Sequence, residues 1–308
     1  MTVVLLDAGS YNYYRATATL SWYRHQKGAP PPSIDNEYFL GKLRDQYFSC
    51  LDKFYKKVKQ DLKITIDSSD IYYIRDSPRE GLWRSLIYPE YKGNRADRET
   101  RECDRLSKLE GEDRCLALGQ TVGQYIKYLH QNCATTFRQS LRVDGAEADD
   151  IIAVVTRDAL AKGATHVIIV SMDSDFNQLL SDSRVKIYNP KGWSRAVCTD
   201  PKQALVDKIL NGDTSDCIRK VSGKPDSESY RMQYNLNRQL IDFDCIPEHI
   251  RDAILIELWG TIPDAPSDQT ALDVDDQEDI IRDDDQDIIG DDDQDIIPDD
   301  QDTLICDM

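Results

Sequence analysis

"GAEADDIIAVV" at residues 145–155 and "VIIVSMDSDFNQLL" at residues 167–180 set five carboxylates beside two apolar runs that ought to be buried. The first segment continues to Gly163 with its apolar residues at helical spacing, whereas the second opens with β-branched residues and then turns acidic. A helix that leads into a buried strand is the repeating unit of α/β folds. The two segments therefore predict acidic side chains at a helix start and at the carboxyl end of a strand.

Three further runs rich in β-branched residues occur at "VVLLD" (3–7), "KITID" (63–67) and "VKIYN" (185–189). Between the first two runs, the apolar residues of "NEYFLGKLRDQYFSCLDKFYKKVKQ" (36–60) recur at helical spacing. Strands separated by helices predict an α/β fold with a central, mainly parallel sheet flanked by helices. Ligands of such open sheets bind beyond the carboxyl ends of the strands, where several of the acids fall.

These acids are the candidate metal ligands. Clustered carboxylates raise each other's pKa unless a cation neutralises them, and Mg²⁺ and Mn²⁺ prefer oxygen ligands. Two such ions about 3.5–4 Å apart can activate a water and stabilise the leaving oxygen in phosphodiester cleavage. A simpler reading also fits each cluster, because acids favour first helical turns and cap turns at strand ends. The candidates are Asp7, Asp67, Glu147, Asp149, Asp150, Asp173, Asp175, Asp213 and Asp216.

The net charge of −18 is concentrated near the C-terminus, where residues 273–308 hold 17 acidic residues and one arginine. The remainder is nearly neutral, at about −2, so the total charge does not exclude a nucleic-acid ligand. No apolar run reaches the roughly 18 residues of a membrane span, and the start of the chain is not signal-like. We expect an intracellular protein without membrane contact, in the host cytoplasm if a phage encodes it. The eight cysteines form no CxxC pair, which indicates free thiols rather than a zinc site.

The segment "WRSLIYPEYKGNRADR" (83–98) interleaves cationic with aromatic side chains. Cations contact phosphates and aromatic faces stack on bases, so Trp83 and Arg98 are candidate nucleic-acid-binding residues. An ordinary solvated helix is the alternative interpretation of the same charges. The highly charged continuation to residue 115 favours a clamp around a single strand.

Seven motifs follow one another along roughly residues 1–258. They are "LLDAGSYNYYRA" (5–16), "TIDSSD" (65–70), "LWRSLIYPEYKGNRADRE" (82–99), "GAEADDIIAVV" (145–155), "IIVSMDSDFNQLL" (168–180), "KILNGDTSDCI" (208–218) and "NRQLIDFDCIPEHI" (237–250). Together they resemble the phage and bacterial 5′→3′ exonuclease and flap endonuclease family, most closely its ribonuclease H members from T-even phages.

That resemblance implies a PIN-like 5′ nuclease domain over residues 1–260, in which the nine candidate acids hold two Mg²⁺ ions, with Mn²⁺ as a substitute. It also implies a charged helical arch at residues 82–115 over the active site. Lys92, Arg84 and Arg95 are similar to the residues that contact the scissile phosphate in this family. Tyr91 is similar to a residue that stacks on a base.

One region departs from the family pattern, because Cys217 stands where members usually have asparagine. The helix-three-turn-helix that grips duplex backbone is expected to be shortened here, to residues 213–245. Lys220 and Lys224 remain as candidate duplex contacts.

The last segment, residues 261–308, repeats "DDQEDIIR", "DDDQDIIG" and "DDDQDIIP". Such low-complexity acidic sequence cannot bury enough apolar surface to order itself, so a disordered solubilising tail is expected. A docking site for a replication protein, either a single-strand-binding protein or a clamp, is the functional alternative for this tail or for the shortened region.

The expected function is Mg²⁺-dependent hydrolysis near the 5′ ends of DNA flaps or RNA·DNA duplexes, as in primer removal. The main alternative is a nucleic-acid-binding scaffold that kept the fold without turnover. A metal-dependent transferase is a weaker alternative, because the chain has no Gly-rich phosphate loop and "YPEYKGNR" would stay unexplained.

Overall fold

The computed structural model describes residues 1–79, 81–94, 104–105, 108–109, 121–225 and 227–260. Within them, six strands form one sheet in the order β3-β2-β1-β4-β5-β6. The first five are parallel, and β6 pairs antiparallel with β5, so the predicted mainly parallel sheet is confirmed. The strands are β1 (Thr2–Asp7), β2 (Ile71–Ile74), β3 (Gln139–Leu141), β4 (His166–Val170), β5 (Val185–Asn189) and β6 (Ser194–Arg195).

Helices cover both faces of this sheet. Two of the predicted helices are confirmed by α2 and α5, and α2 begins where the Asn36 side chain accepts a hydrogen bond from the Phe39 amide at 3.0 Å. The described helices are α1 (Ala8–Tyr23), α2 (Glu37–Leu62), α3 (Trp83–Ile87), α4 (Val122–Cys133), α5 (Ala148–Ala161), α6 (Pro201–Asn211), α7 (Glu228–Ile241) and α8 (Glu248–Trp259). Among the described residues, none of these helices has the length and apolarity that crossing a bilayer requires.

The central strand β1 is apolar on both sides because it is buried on both sides. Val3 and Leu5 belong to the core that includes α5 and α8, whereas Val4 and Leu6 belong to the core of α1, α2 and α4. The chain leaves β1 towards β2 on one side and returns through β4 on the other. This reversal opens a crevice at the carboxyl ends of β1, β2 and β4, the usual ligand position in open α/β sheets.

The predicted strand at residues 63–67 is wrong. Helix α2 ends at Leu62, the left-handed φ of 62° at its C-cap Lys63 turns the chain, and residues 63–67 form no strand. The strand that pairs with β1 is the fully buried run "IYYI" at Ile71–Ile74, in register from Val4–Ile71 to Asp7–Ile74. Asp67 therefore precedes β2 instead of following it.

Two predictions fall largely on residues that the structure does not describe. Of the expected arch at residues 82–115, the described parts are residues 82–94, 104–105 and 108–109. The acidic tail at residues 261–308 lies outside the described residues.

Candidate active site

An open cleft of about 690 Å³ lies at the carboxyl ends of β1, β2 and β4. Seven of the side chains that line it are carboxylates, and they come from the ends of three strands, the start of α5 and the loop after α6. Repulsion among so many like charges favours cation binding. The carboxylates are Asp7, Asp76, Asp149, Asp173, Asp175, Asp213 and Asp216.

Asp7 ends β1 and is held at the bottom of the cleft. Its carboxylate caps α1 by accepting from the Ser10 amide at 3.1 Å, and it accepts from Ser171 Oγ at 2.7 Å. Burial raises the pKa of Asp7 to about 7, with further contributions from Asp76 and Asp173, although the two hydrogen bonds oppose the shift. A Cβ added at Gly9 would stand 3.4 Å from Asp76 Oδ2 and 3.6 Å from Asp7 Oδ1, so these two carboxylates converge on a glycine.

Two further acids share this electrostatic environment. Asp149 lies in the first turn of α5, and Asp173 follows β4, where it accepts from the Asp175 amide at 2.9 Å. Burial raises the pKa of Asp149, and the nearby Asp173 and Asp7 raise it further. Burial likewise raises the pKa of Asp173, against the attraction of Lys208. Burial and mutual repulsion thus disfavour the ionised forms of these three acids, and a bound cation would offset that cost.

The loop after α6 brings the last pair of acids, Asp213 and Asp216, to the cleft. Asp213 accepts from the amide and hydroxyl of Ser215 at 2.8 and 2.6 Å. Although burial raises the pKa of Asp213, the hydrogen bonds of Ser215 and the charge of Lys208 outweigh it and lower the pKa. Asp213 is thus a carboxylate anchored in its ionised form.

Two lysines, Lys92 and Lys208, form ion pairs with acids in and beside the cleft. Lys92 Nζ pairs with Glu147 Oε1 and stands 3.7 Å from Asp216 Oδ2. Lys208 Nζ pairs with Asp175 Oδ1 and lies 3.1 Å from Asp213 Oδ2. Lys208 was not among the predicted site residues, and its position five residues before Asp213 in "KILNGD" gives no signal beyond the helical pattern.

Asp76 was also missed, and it takes the position predicted for Asp67. Asp76 follows β2, lines the cleft, and accepts from the Ala148 amide at 2.8 Å. Asp67 is exposed, caps the short turn Ser68–Asp70 ahead of β2, and is not brought to the cleft. The signal for Asp76 was the buried pattern of "IYYI" before it, which the more conspicuous acid of "KITID" obscured.

Arg84, predicted to contact the scissile phosphate, is instead buried behind the acids. Its guanidinium pairs with Glu147 Oε2 at 2.9 Å and Asp150 Oδ1 at 2.8 Å. Trp83 is equally buried, and its indole donates to Asp150 Oδ2 at 2.9 Å, so its ring is not presented to a base. Asp150 is fully buried in this network and does not line the cleft, because it closes a capping box with Glu147 at the start of α5.

Glu147, a predicted metal ligand, is buried between Arg84, Lys92 and Tyr91 and does not line the cleft. Burial raises the pKa of Glu147, but Lys92 and Arg84 outweigh it and lower the pKa. Tyr91 is 3% exposed and donates to Glu147 Oε2 at 2.8 Å, so the predicted stacking on a base does not fit its position. A tyrosine that is buried needs a partner for its hydroxyl, which the carboxylate provides.

The remaining predicted contacts are either outside the described residues or away from the cleft. Arg95 and Arg98 lie outside the described residues. Lys220 and Lys224 are exposed on the segment between α6 and α7 and do not line the cleft. Their predicted contact with duplex DNA stays a prediction.

One wall of the cleft is largely apolar. It is formed by Tyr13, Ile126, His130 and Met172, and the Tyr13 side chain is 53% exposed. Behind it, Tyr73 Oη lies 2.9 Å from His130 Nδ1 and accepts from Asn12 Nδ2 at 2.7 Å. A polar floor beside an apolar wall suits a ligand with phosphates and flat rings.

The donor set fits a hard divalent cation, since every cleft acid offers carboxylate oxygen, and burial together with neighbouring acids raises the pKa of Asp7, Asp149 and Asp173. Within the described residues, however, no three His, Cys, Asp or Glu side chains stand together in a ligating arrangement. Lys208 pairs with Asp175 and Asp213, and Lys92 Nζ lies 3.7 Å from Asp216 Oδ2, so both lysines lie at carboxylate oxygens that a metal would use. Binding an ion therefore requires these pairs to part.

Comparison with known proteins identifies a family and several relatives. The model of the family described as 5′-3′ exonuclease, N-terminal resolvase-like domain, matches residues 2–209. Ribonuclease H of Enterobacteria phage T4 is 26% identical over 227 residues, which cover 62% of this chain and 70% of that one. DNA polymerase I of Mycobacterium bovis is 28% identical over 198 residues, which cover 58% of this chain but only 19% of the polymerase.

Solved structures share the fold at lower identity. The D15 protein of phage T5, crystallised with metal ions, has a TM-score of 0.51 at 17% identity and covers 84% of this chain and 94% of that one. The same flap endonuclease in a pseudo-enzyme-product complex with DNA and metal ions has a TM-score of 0.52 at 17% identity, covering 82% and 96%. Because the family model matches more than half of the residues, the chain belongs to the 5′-3′ exonuclease family and is a 5′ nuclease.

Proposed function

We propose that this protein hydrolyses phosphodiester bonds near the 5′ ends of DNA flaps or RNA·DNA duplexes, with two Mg²⁺ ions, and removes primers during replication. The observation that carries the proposal is the convergence of seven carboxylates from separate segments on one cleft. Support also comes from the T4 ribonuclease H relative and from the T5 flap endonuclease that was solved with DNA and metal ions.

The metal ions would be held by the carboxylates around the cleft. Bound there, they supply an activated water and stabilise the leaving oxygen. Ser171 and the Ser10 amide orient Asp7, and Ser215 orients Asp213, so both carboxylates are fixed before an ion arrives. The proposed ligands are Asp7, Asp76, Asp149, Asp173, Asp175, Asp213 and Asp216.

The two lysines have a second task in this proposal. With cations held by Asp216, Asp175 and Asp213, the ammonium groups of Lys92 and Lys208 would face the cleft instead of these carboxylates. A cation at that position stabilises the charge that develops on the transferring phosphoryl oxygens. Lys92 keeps its predicted role at the scissile phosphate, while Arg84 acts only through Glu147.

Substrate contacts extend beyond the metal ligands. The apolar wall of Tyr13, Ile126 and Met172 would contact the sugar or base beside the scissile phosphate. We retain Arg95 as a predicted contact of the scissile phosphate, Arg98 as a predicted nucleic-acid contact, and Lys220 with Lys224 as predicted contacts of the duplex. A single-strand-binding protein or clamp remains a proposed partner of the tail or of residues 213–245.

A panel of 5′-end-labelled substrates tests this function. Flap DNA, nicked DNA and an RNA-primed duplex are incubated with Mg²⁺, with Mn²⁺ and with EDTA, and products are sized on a denaturing gel. Release of short 5′ products with either metal, and none with EDTA, is expected. Binding of every substrate without cleavage under any metal condition would instead support the scaffold alternative.

A further inference from the structure

The end of helix α7 lies behind the cleft and contacts three segments, of which two carry acids and the third carries Arg84, the partner of an acid. Asn237 donates to the two ends of the loop that bears Asp213 and Asp216. The Leu240 carbonyl accepts from Arg84 Nε at 2.8 Å, and the Ile241 carbonyl accepts from Gln178 Nε2 at 3.0 Å. Arg84 pairs with Glu147, and Gln178 lies in the turn that follows Asp173, so one helix end touches all three.

Asn237 makes the most specific of these contacts. Its side chain is fully buried, and Nδ2 donates to the carbonyls of Ile209 at 2.7 Å and Arg219 at 2.8 Å. Its Oδ1 accepts from Gln233 Nε2 at 2.8 Å, which fixes the orientation of the amide. Both amide hydrogens are therefore used, one on each arm of the loop.

The two arms of the 212–219 loop cross so closely that one carbonyl at the end of α6 needs a partner from outside the loop. Asp213 and Ile218 exchange two backbone hydrogen bonds, of 2.9 and 2.7 Å. A Cβ at Gly212, where φ is +69°, would stand 2.5 Å from the Ile218 carbonyl oxygen, so only glycine fits the crossing. The Asp213 amide is thus diverted from the Ile209 carbonyl at the end of α6, and Asn237 satisfies that carbonyl.

We infer that Asn237 is a positioning residue that clamps the 212–219 loop and thereby sets Asp213 and Asp216 for metal binding. The inference rests on the proposed function for the metal, but the clamp itself does not depend on it. Part of the region predicted to bind duplex DNA, residues 213–245, would thus position the acids of the cleft. Loss of a residue that holds a metal ligand in place typically weakens metal affinity roughly 10–100-fold.

Asn237→Asp is the sharpest variant, because it keeps the size of the side chain and replaces the donor by an oxygen that faces two carbonyls. Asn235→Asp is the matched control, since it makes the same change of charge at an exposed position of α7. Gln233→Leu is a milder second variant, which removes only the donor that orients Asn237.

Hydrogen exchange tests the clamp without any metal. Protection of the Asp213 and Ile218 amides should fall at least roughly tenfold in Asn237→Asp, less in Gln233→Leu and not in Asn235→Asp, while β4 stays unchanged. Unchanged protection of the loop in Asn237→Asp would overturn the inference. If Asn237→Asp does not fold, the loop-specific change in Gln233→Leu decides in the same way.

Mn²⁺ binding, followed by electron paramagnetic resonance of the free ion, tests the consequence. Asn237→Asp should weaken Mn²⁺ binding roughly 10–100-fold, whereas the affinity for flap DNA in Ca²⁺ should match that of Asn235→Asp. Equal Mn²⁺ affinity in the two variants would overturn the assignment to metal positioning. A wild-type protein that binds no Mn²⁺ would contradict the proposed function instead, and hydrogen exchange would still decide on the clamp.

Discussion

Arg84 donates to Glu147 Oε2 across 2.9 Å, with both side chains buried behind the carboxylate cleft. The same guanidinium pairs with Asp150, which is fully buried. Arg84, which the sequence predicts to lie near substrate, is thus the buried partner of Asp150 and shares Glu147 with Lys92. This makes Arg84 important for folding as well as for the shape of the site.

Arg84→Met should lower the free energy of unfolding by about 3–5 kcal/mol, because it leaves the buried Asp150 without its cation and leaves Glu147 with Lys92 alone. Urea denaturation without added metal measures the effect. Arg219→Met is the control, since it breaks an exposed pair with Glu90 and should leave the unfolding free energy almost unchanged. Similar small losses in both variants would contradict the structural role of Arg84.

Asp76→Asn should reduce the cleavage rate at fixed, limiting Mg²⁺ by at least roughly 10–100-fold, whereas Asp67→Asn should leave it unchanged. The reason is position, because Asp76 lines the cleft and Asp67 does not. Cleavage rates over a Mg²⁺ titration measure the difference. Loss of activity in Asp67→Asn alone would restore the assignment made from sequence.

Sequence patterns predicted the α/β class, the strands β1, β4 and β5, and the acids of four segments that meet at the cleft. They could do so because β-branched runs and acids at strand ends are local signals. The position of β2 was missed because both "KITID" and "IYYI" fit a strand, and only pairing with β1 selects the second.

The sequence also could not show which way a side chain points. Arg84, Trp83 and Tyr91 lie in a segment whose composition suits nucleic-acid contact, yet all three are buried against Glu147 or Asp150. Lys208 and Asn237 had no local signal at all. Their roles arise from contacts with segments far away in sequence, which periodicity does not encode.

Lys92→Ala should lower the single-turnover rate at saturating DNA, whereas Lys220→Ala combined with Lys224→Ala should mainly weaken DNA binding. Lys92 lies at the acids, while the other two lysines are exposed away from the cleft. A transition-state contact affects turnover, and distant phosphate contacts give a salt-dependent affinity. Should Lys92→Ala alter affinity alone, its assignment to the scissile phosphate is wrong.

His130 should make stability depend on pH. Burial, with help from Arg75, lowers the pKa of His130 from 6.5 to about 4. Between these two pH values the unfolded chain binds a proton at His130 that the folded protein does not bind. The contribution of His130 to the free energy of unfolding is therefore full above about pH 6.5 and is lost as the pH falls towards 4. The loss is at most about 3 kcal/mol, and less where solvent screens the partly exposed ring.

Urea denaturation of wild type and His130→Gln between pH 4 and 7 checks this contribution. The variant should lose less stability on acidification than wild type does, because glutamine does not titrate there. His25→Gln, at an exposed position, is the control. Parallel pH profiles for wild type and His130→Gln would show that His130 makes no such contribution.

The central claim is that the acids of the cleft hold the divalent cations on which cleavage depends. Single-turnover cleavage of an end-labelled flap over a Mg²⁺ titration tests it most directly, with wild type and an Asp149→Asn, Asp175→Asn double variant. Wild type should cleave with Mg²⁺ and not in EDTA, and the double variant should be at least roughly 100-fold slower while unfolding at the same or a slightly higher temperature without metal. Cleavage by the double variant at the wild-type rate, or undiminished cleavage in EDTA, would contradict the account.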